Sequence, residues 1–204
     1  MGDIWNNARS LEQKLVEICT TYATFRTGKP IEKPEAMIHA FVIGCADFAN
    51  SVFPLGIAQC KDPVFEGAQG LLLDQNNKEN YPHVTRSNTG IQNVRALCGQ
   101  AGISDIDAYY VSRTYLTKHG AGKLPGEDPL LAFADDTNLE HPFQGKLRFA
   151  PLDYATLRSR VEADFGRSSY KLVVTHMDQL PTNEPADFYA FGPTFDSIAS
   201  PVTA

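Results

Sequence analysis

Apolar side chains recur at helical spacing through the first quarter of the chain. Over residues 10–25, Leu11, Leu15, Ile18, Tyr22 and Phe25 fall on one face of a predicted amphipathic helix. Ser10 with Gln13 reads as its capping box, and Gly28, Lys29 and Pro30 as its end. Residues 34–53 predict a second helix ended by Pro54. It is apolar nearly all round (Met37, Ile38, Phe41, Val42, Ile43, Phe48) and hence buried, with His39 and Cys45 as core residues.

The pattern then changes. Val64 and Phe65 predict a short buried strand that breaks into a turn bracketed by Gly67 and Gly70, where backbone N–H groups can approach a ligand. The run Leu71, Leu72, Leu73 leads through a polar loop to Thr85, Arg86, Ser87, Asn88 and Thr89. Ser87 or Asn88 is expected to cap a helix whose apolar face is Ile91, Val94, Leu97 and Cys98. Its N-terminus would then either favour an anion or be an ordinary capped end. Residues 108–111 (AYYV) and 170–175 (YKLVVT) predict further strands. Between them, Arg113, Lys118, His119 and Lys123 with Gly120, Gly122 and Gly126 predict a mobile basic loop, and Asp153 caps a helix carrying Leu157, Val161 and Phe165.

Composition narrows the class. The chain has 204 residues, enough for one domain burying roughly 70% of its unfolded surface, and neither a repeat nor a domain boundary is visible. A net charge of −6 argues against binding a nucleic-acid backbone. An anionic ligand would need a locally basic site, which the 113–123 loop supplies. Cys19, Cys45, Cys60 and Cys98 are widely spaced, and read as reduced, mostly buried thiols with no metal site among them. No apolar run approaches membrane length, so a cytoplasmic protein with no membrane partner is expected. The stretch RTGKP has a Gly-Lys pair but lacks the first glycine and the following Ser/Thr of a phosphate loop.

Two linked blocks carry a more specific signal. FEGAQGLLLD followed by YPHVTRSNT resembles the signature of adenylosuccinate synthetase, FEGAQG-x-LLD and then YP-x-VTSSNT. The resemblance implies that Gln69, as catalytic residue, and Thr85 line a purine nucleotide monophosphate pocket, with Arg86 and Asn88 beside them. An amide can donate to a purine 6-oxygen and a hydroxyl can hold a phosphate. Arg86 stands where the family has serine. YLTKHGAGKLPGE resembles the family's Y-x-TRVG-x-GPFPTE, with Lys118 for its Arg and His119 for its Val.

The rest of the chain matches more loosely. In residues 133–153 the family folds an arginine-bearing loop over its amino-acid substrate. The resemblance assigns aspartate binding here to Thr137, Asn138, Lys146 and Arg148. Lysine copies the bidentate arginine grip poorly. Residues 175–178 (THMD) resemble the family's LTKLD, which implies that His176 and Asp178, with Gly192 and Pro193 of the tail, hold the base of a nucleoside triphosphate. Without the resemblance, Asp178 reads as a solvated turn acid. His176 replaces a lysine, which opens ATP as well as GTP.

The implied fold is α/β. It is part of a mostly parallel, P-loop-NTPase-like sheet flanked by helices, lacking the N-terminal phosphate-loop portion with its GDEGKG motif and catalytic Asp and His. Three strands, ending at Phe65, Val111 and Val174, are expected to open their polar loops onto one site. The implied activity joins L-aspartate to the 6-position of IMP with GTP and Mg²⁺ carried on the triphosphate, acting as a homodimer or with a complementing N-terminal half. The alternatives are a phage-type ligase using dGMP and ATP, a catalytically dead purine-nucleotide-binding module, or a remnant that binds nothing.

Overall fold

The structure is a computed structural model and describes residues 7–29, 31, 34–53, 55–135, 137–166 and 170–200. It divides into two compact units, Met1–Gln59 and Cys60–Ala204.

The first unit holds helices α1 (Ala8–Thr27) and α2 (Pro34–Ser51). The N-cap of α1 is Asn7, whose side chain accepts from the Ser10 N–H at 3.1 Å, so Ser10 is a recipient of the cap and not its source. Gly28 ends the helix in the left-handed conformation at φ 71°, which glycine adopts without a Cβ penalty. Pro30 and Pro54 lie outside the described residues. In α2, Ile38, Val42 and Ala49 are buried, but Met37, Phe41, Ile43 and Phe48 are exposed. The expectation of all-round burial fails because only one stripe of α2 is covered. His39 is likewise no core residue: it is exposed, with Nδ1 3.0 Å from Glu12 Oε1.

The second unit is mixed α/β. A four-stranded sheet has the order β1 (Tyr109–Arg113), β4 (Lys171–Thr175), β5 (Phe188–Ala190), β6 (Ile198–Ala199). β4 pairs in parallel with both β1 and β5, and β6 is antiparallel to β5. A separate antiparallel pair joins β2 (Tyr115–His119) to β3 (Leu147–Pro151). Two helices complete the unit, α3 (Gln92–Gln100) and α4 (Tyr154–Phe165), the latter capped by Asp153 as expected. Alternate residues of β4, Leu172 and Val174, bury one face of the sheet with Tyr154 of α4 and Met177, and Tyr110 and Leu157 pack around them.

Three expectations change here. Residues 64 and 65 form no strand: Val64 is 93% exposed, because an apolar pair with no ladder partner cannot offset its unpaired backbone in a sheet. The basic loop is in part a strand, β2, since Leu147–Pro151 supplies it with a partner far along the chain. Neither Ser87 nor Asn88 caps α3. Its N-cap position is Ile91, and the Ile91 N–H is taken by the Asp164 carboxylate of α4 at 3.0 Å. The thiols also differ among themselves, with Cys98 buried, Cys19 and Cys45 half-buried and Cys60 exposed.

Candidate functional site

The carboxyl ends of β1, β4 and β5 lie side by side, the edge at which open parallel sheets gather ligand-binding loops. β4 runs into Thr175 and a tight turn. The His176 carbonyl accepts from the Gln179 and Leu180 N–H groups, each at 3.1 Å, and the Met177 N–H donates to the Ala190 carbonyl at 3.1 Å. Met177 is buried in the core, so it anchors the turn while Asp178 stays exposed. The bond to Ala190 sets this turn beside the end of β5, which leads to Gly192 and Pro193. There the Ser197 hydroxyl donates to the Gly192 carbonyl at 2.8 Å. All four residues assigned to the triphosphate base therefore stand at the ends of neighbouring strands.

His176 departs from ordinary turn geometry. Its φ is 63°, uncommon for a residue with a side chain, and its Nδ1 is 2.9 Å from the Thr175 hydroxyl. Its ring meets Tyr115 edge-on at 5.7 Å. Burial, and then the Arg113 charge, hold its pKa below the usual imidazole value. At neutral pH it is an uncharged aromatic surface, not a cation.

The stretch around Gln69 folds against the 85–89 cluster. The Thr85 N–H donates to the Leu73 carbonyl at 2.8 Å, the Gln75 N–H to the Ser87 carbonyl at 3.1 Å, and the Thr89 hydroxyl to the Gly70 carbonyl at 2.9 Å. Asp74 ties the two together, accepting from Asn76 and from the Thr89 N–H at 2.7 Å. Burial would raise the Asp74 pKa, but the bonds from Asn76 and Thr89 outweigh it and lower the value. Gln69 itself is exposed, at φ 74°. Thr85 is half-buried, its hydroxyl 3.4 Å from that of Ser87, and Arg86 is exposed. Asn88 does structural work: its Oδ1 accepts from Gln75 and Asn76, and its amide donates to Asn93. Because the 64–65 segment is not a strand, the GAQG turn does not follow a third strand of the sheet.

The residues assigned to an amino-acid carboxylate form two groups. Lys146 is exposed, 4.0 Å from Glu140, and Arg148 on β3 donates Nη2 to the Gly122 carbonyl at 2.7 Å and faces Glu127 at 3.3 Å. Arg148 is the cross-strand partner of Lys118, whose Nζ lies 3.5 Å from the His83 carbonyl, close to the start of the 85–89 cluster. Thr137 and Asn138 are turned onto Asp135. Its carboxylate accepts the Thr137 hydroxyl at 2.7 Å, the Asn138 amide at 2.7 Å and Arg113 Nη2 at 3.0 Å. The Thr137 hydroxyl, against a smaller effect of burial, leads the causes that hold this acid well below the usual carboxylate range. The sequence placed Arg113 among the cations of a basic loop, not on a carboxylate, and passed over Asp135. The only local sign was the D-x-T-N order, in which an acid can bond forward to its own loop.

An open cavity of about 480 Å³ is lined by Asn76, Asn77, Lys78, Glu79, Thr156, Ser159 and Arg160, of which Asn76 donates to Asn88. None of the residues proposed from the sequence borders it. No three His, Cys, Asp or Glu side chains among the described residues converge on a metal position. Among those residues, too, no helix is long and apolar enough to cross a membrane.

Comparison with known proteins agrees with the two-block signature. The family described as Adenylosuccinate synthetase matches residues 8–182. This chain belongs to the adenylosuccinate synthetase family. It is 41% identical over 71 residues to the adenylosuccinate synthetase of Anaplasma marginale (strain St. Maries), covering 35% of this chain and 16% of that protein. It is 38% identical over 77 residues to those of Francisella tularensis subsp. mediasiatica (strain FSC147) and subsp. novicida (strain U112), covering 38% of this chain and 18% of each. The matched stretch thus spans less than a fifth of the curated relatives.

Proposed function

We propose that the chain is the purine- and aspartate-recognising portion of a C–N ligase that joins L-aspartate to the 6-position of IMP with GTP, in the cytoplasm and as part of a P-loop-NTPase-like sheet. The observation that carries this reading is the packing of the GAQG stretch against the 85–89 cluster through Thr89 and Gly70. It puts the two halves of the family signature on one surface.

In this reading the Gln69 amide donates to the purine 6-oxygen, the Thr85 hydroxyl and Arg86 hold the monophosphate, and Asn88 keeps the two stretches in register. The γ-phosphoryl group of GTP passes to the 6-oxygen, and the aspartate amine then displaces phosphate at C6. Thr137, Asn138, Lys146 and Arg148 receive the aspartate carboxylates. His176, Asp178, Gly192 and Pro193 receive the triphosphate's base. In this reading the chain acts as a homodimer or with a complementing N-terminal half, and the phosphate loop and the base that ionises the purine come from that half.

A second reading is favoured by His176. A neutral ring held against Tyr115 stands where the family has a lysine, which suits a phage-type ligase acting on dGMP with ATP. One assay separates the readings. The chain is mixed with an N-terminal half carrying the GDEGKG loop, and succinyl-purine formation is followed from IMP or dGMP with either triphosphate. Product from IMP and GTP supports the first reading, and product from dGMP and ATP the second. Nucleotide binding without product leaves a purine-binding module, and no thermal shift with any purine nucleotide overturns all three.

A further inference from the structure

The 135–138 loop and the 176–179 turn, far apart in sequence, are held by one small network. Tyr115 is 2% exposed at the start of β2. Its ring stacks on Phe133 at 4.1 Å and meets His176 edge-on. Its hydroxyl donates to Gln179 Oε1 at 2.5 Å, and Gln179 Nε2 donates to the Ala134 carbonyl at 3.3 Å. Turn and loop are thereby joined by Gln179 directly.

Arg113 closes the network from the sheet. It is the last residue of β1, where its backbone is in register with Thr175 of β4. Its guanidinium lies 5.8 Å from the Tyr115 ring and reaches Asp135 at 3.0 Å. Asp135 in turn collects the Thr137 and Asn138 donors, so these two residues are held by one carboxylate. The pair is largely shielded, with side chains 26% and 11% exposed, and so is screened less than a surface ion pair. Among the described residues Arg113 Nη1 is buried with no acceptor, and Asp135 is the carboxylate that Nη2 reaches. A displacement of the turn therefore reaches the loop by two routes, Gln179 to Ala134 and Tyr115–Arg113 to Asp135.

We infer that Arg113 is a positioning residue that couples the two sites, so that L-aspartate at the 135–138 loop tightens nucleoside triphosphate binding at the 176–178 turn, and the reverse by thermodynamic necessity. This inference rests on the assignment of those two sites given above. Neither Arg113 nor Asp135 touches a ligand in it.

The test uses the full chain with saturating IMP. GTP and ATP affinities are measured by calorimetry with and without saturating L-aspartate, for wild type, Arg113→Met, Asp135→Asn, the double variant and Arg113→Lys. The expected result is at least a fivefold tightening by L-aspartate in wild type, and the same factor when the order is reversed. Either single variant loses it while binding nucleotide alone within twofold of wild type. The double variant loses nothing more, and Arg113→Lys restores part of the coupling. An undiminished factor in Arg113→Met overturns the inference. Equal loss of affinity with and without L-aspartate does so as well, since that is a structural role only. Binding of both ligands without mutual effect overturns the coupling alone, whereas binding of neither overturns the site assignment and the coupling with it.

Discussion

The carboxylate of Asp164 closes the N-terminus of α3 from α4: its Oδ2 accepts the Ile91 N–H at 3.0 Å and the Tyr110 hydroxyl at 2.6 Å. Arg95 of α3 returns the contact, donating Nη2 to the Phe165 carbonyl at 2.6 Å and lying 5.2 Å from the Phe165 ring. Two helices and the first sheet strand thus meet at one acid. That junction sets where α3 begins, and with it the end of the 85–89 cluster.

Gly90 makes room for that acid. A Cβ on Gly90 would stand 2.2 Å from Asp164 Oδ1, far inside contact distance. Because Asp164 is held by two donors, it cannot swing away without losing both. Gly90→Ala is expected to cost about 1–3 kcal/mol, as overpacking does. This appears as a melting temperature lower by several degrees in a thermal melt followed by circular dichroism. Adding Asp164→Ala removes the clash, so the two losses should fall short of additive. Strict additivity would mean that the two residues do not press on one another.

The Tyr110 phenol at this junction makes stability fall at high pH. Burial, and then the hydrogen bond and charge of Asp164, push the Tyr110 phenol well above its ordinary value. A group whose pKa is raised on folding gives stabilisation that is complete below the unfolded pKa, about 10 for tyrosine, and is lost as pH rises towards the folded pKa. The unfolding free energy should therefore decline steadily above about pH 10. Tyr110→Phe should flatten that slope while lowering stability at pH 7, where the half-buried Asp164 loses a donor. Urea titrations of both proteins at pH 8 and 10.5 check it, and equal slopes would refute it.

Local signals were legible where the residues that decide an element sit within it. The Asp153 cap and the Leu157, Val161, Phe165 stripe mark α4, and the aromatic and β-branched runs mark β1 and β4. What escaped depends on distant partners. β2 reads as a glycine-rich basic loop until Leu147–Pro151 is laid against it. The cap of α3 comes from Asp164, and the clamp on the 135–138 loop from Arg113. The error at Val64 and Phe65 has the same root, since an apolar pair becomes a strand only where a ladder receives it. The residues assigned to the triphosphate base were picked out by motif, and it is the parallel register of β4 and β5 that sets them on one edge.

Asp178 offers a direct test of the base assignment. It is exposed on a turn fixed by Met177, so changing it should leave the fold intact. A carboxylate accepts from two adjacent donors, which guanine presents and adenine does not. Asp178→Asn is expected to weaken GTP binding about tenfold or more, the scale of a lost hydrogen bond to a charged group. ATP binding should change by less than about twofold, since no bond to adenine is lost. Competition between the two triphosphates on the variant reads this out, and an equal loss for both would remove Asp178 from base recognition.

Lys118 should trade stability for binding. It faces Arg148 across the β2–β3 ladder, and burial, followed by that like charge, lowers its pKa. The unfolded chain holds this proton more tightly than the folded one, so the charged form works against folding until pH rises past the folded pKa. Its contact with the His83 carbonyl, at 3.5 Å, offsets little of that cost. An anion bound beside the 85–89 cluster would offset much more. Lys118→Met keeps the half-buried stem and removes the charge, so its melting temperature should rise by about 1 °C, a few tenths of a kcal/mol in a chain of this size. Affinity for a purine monophosphate should fall about tenfold, with a shallower salt dependence. A variant that melts lower than wild type, or that binds the monophosphate as tightly at both low and high salt, would show that this lysine holds the hairpin together and meets no anion.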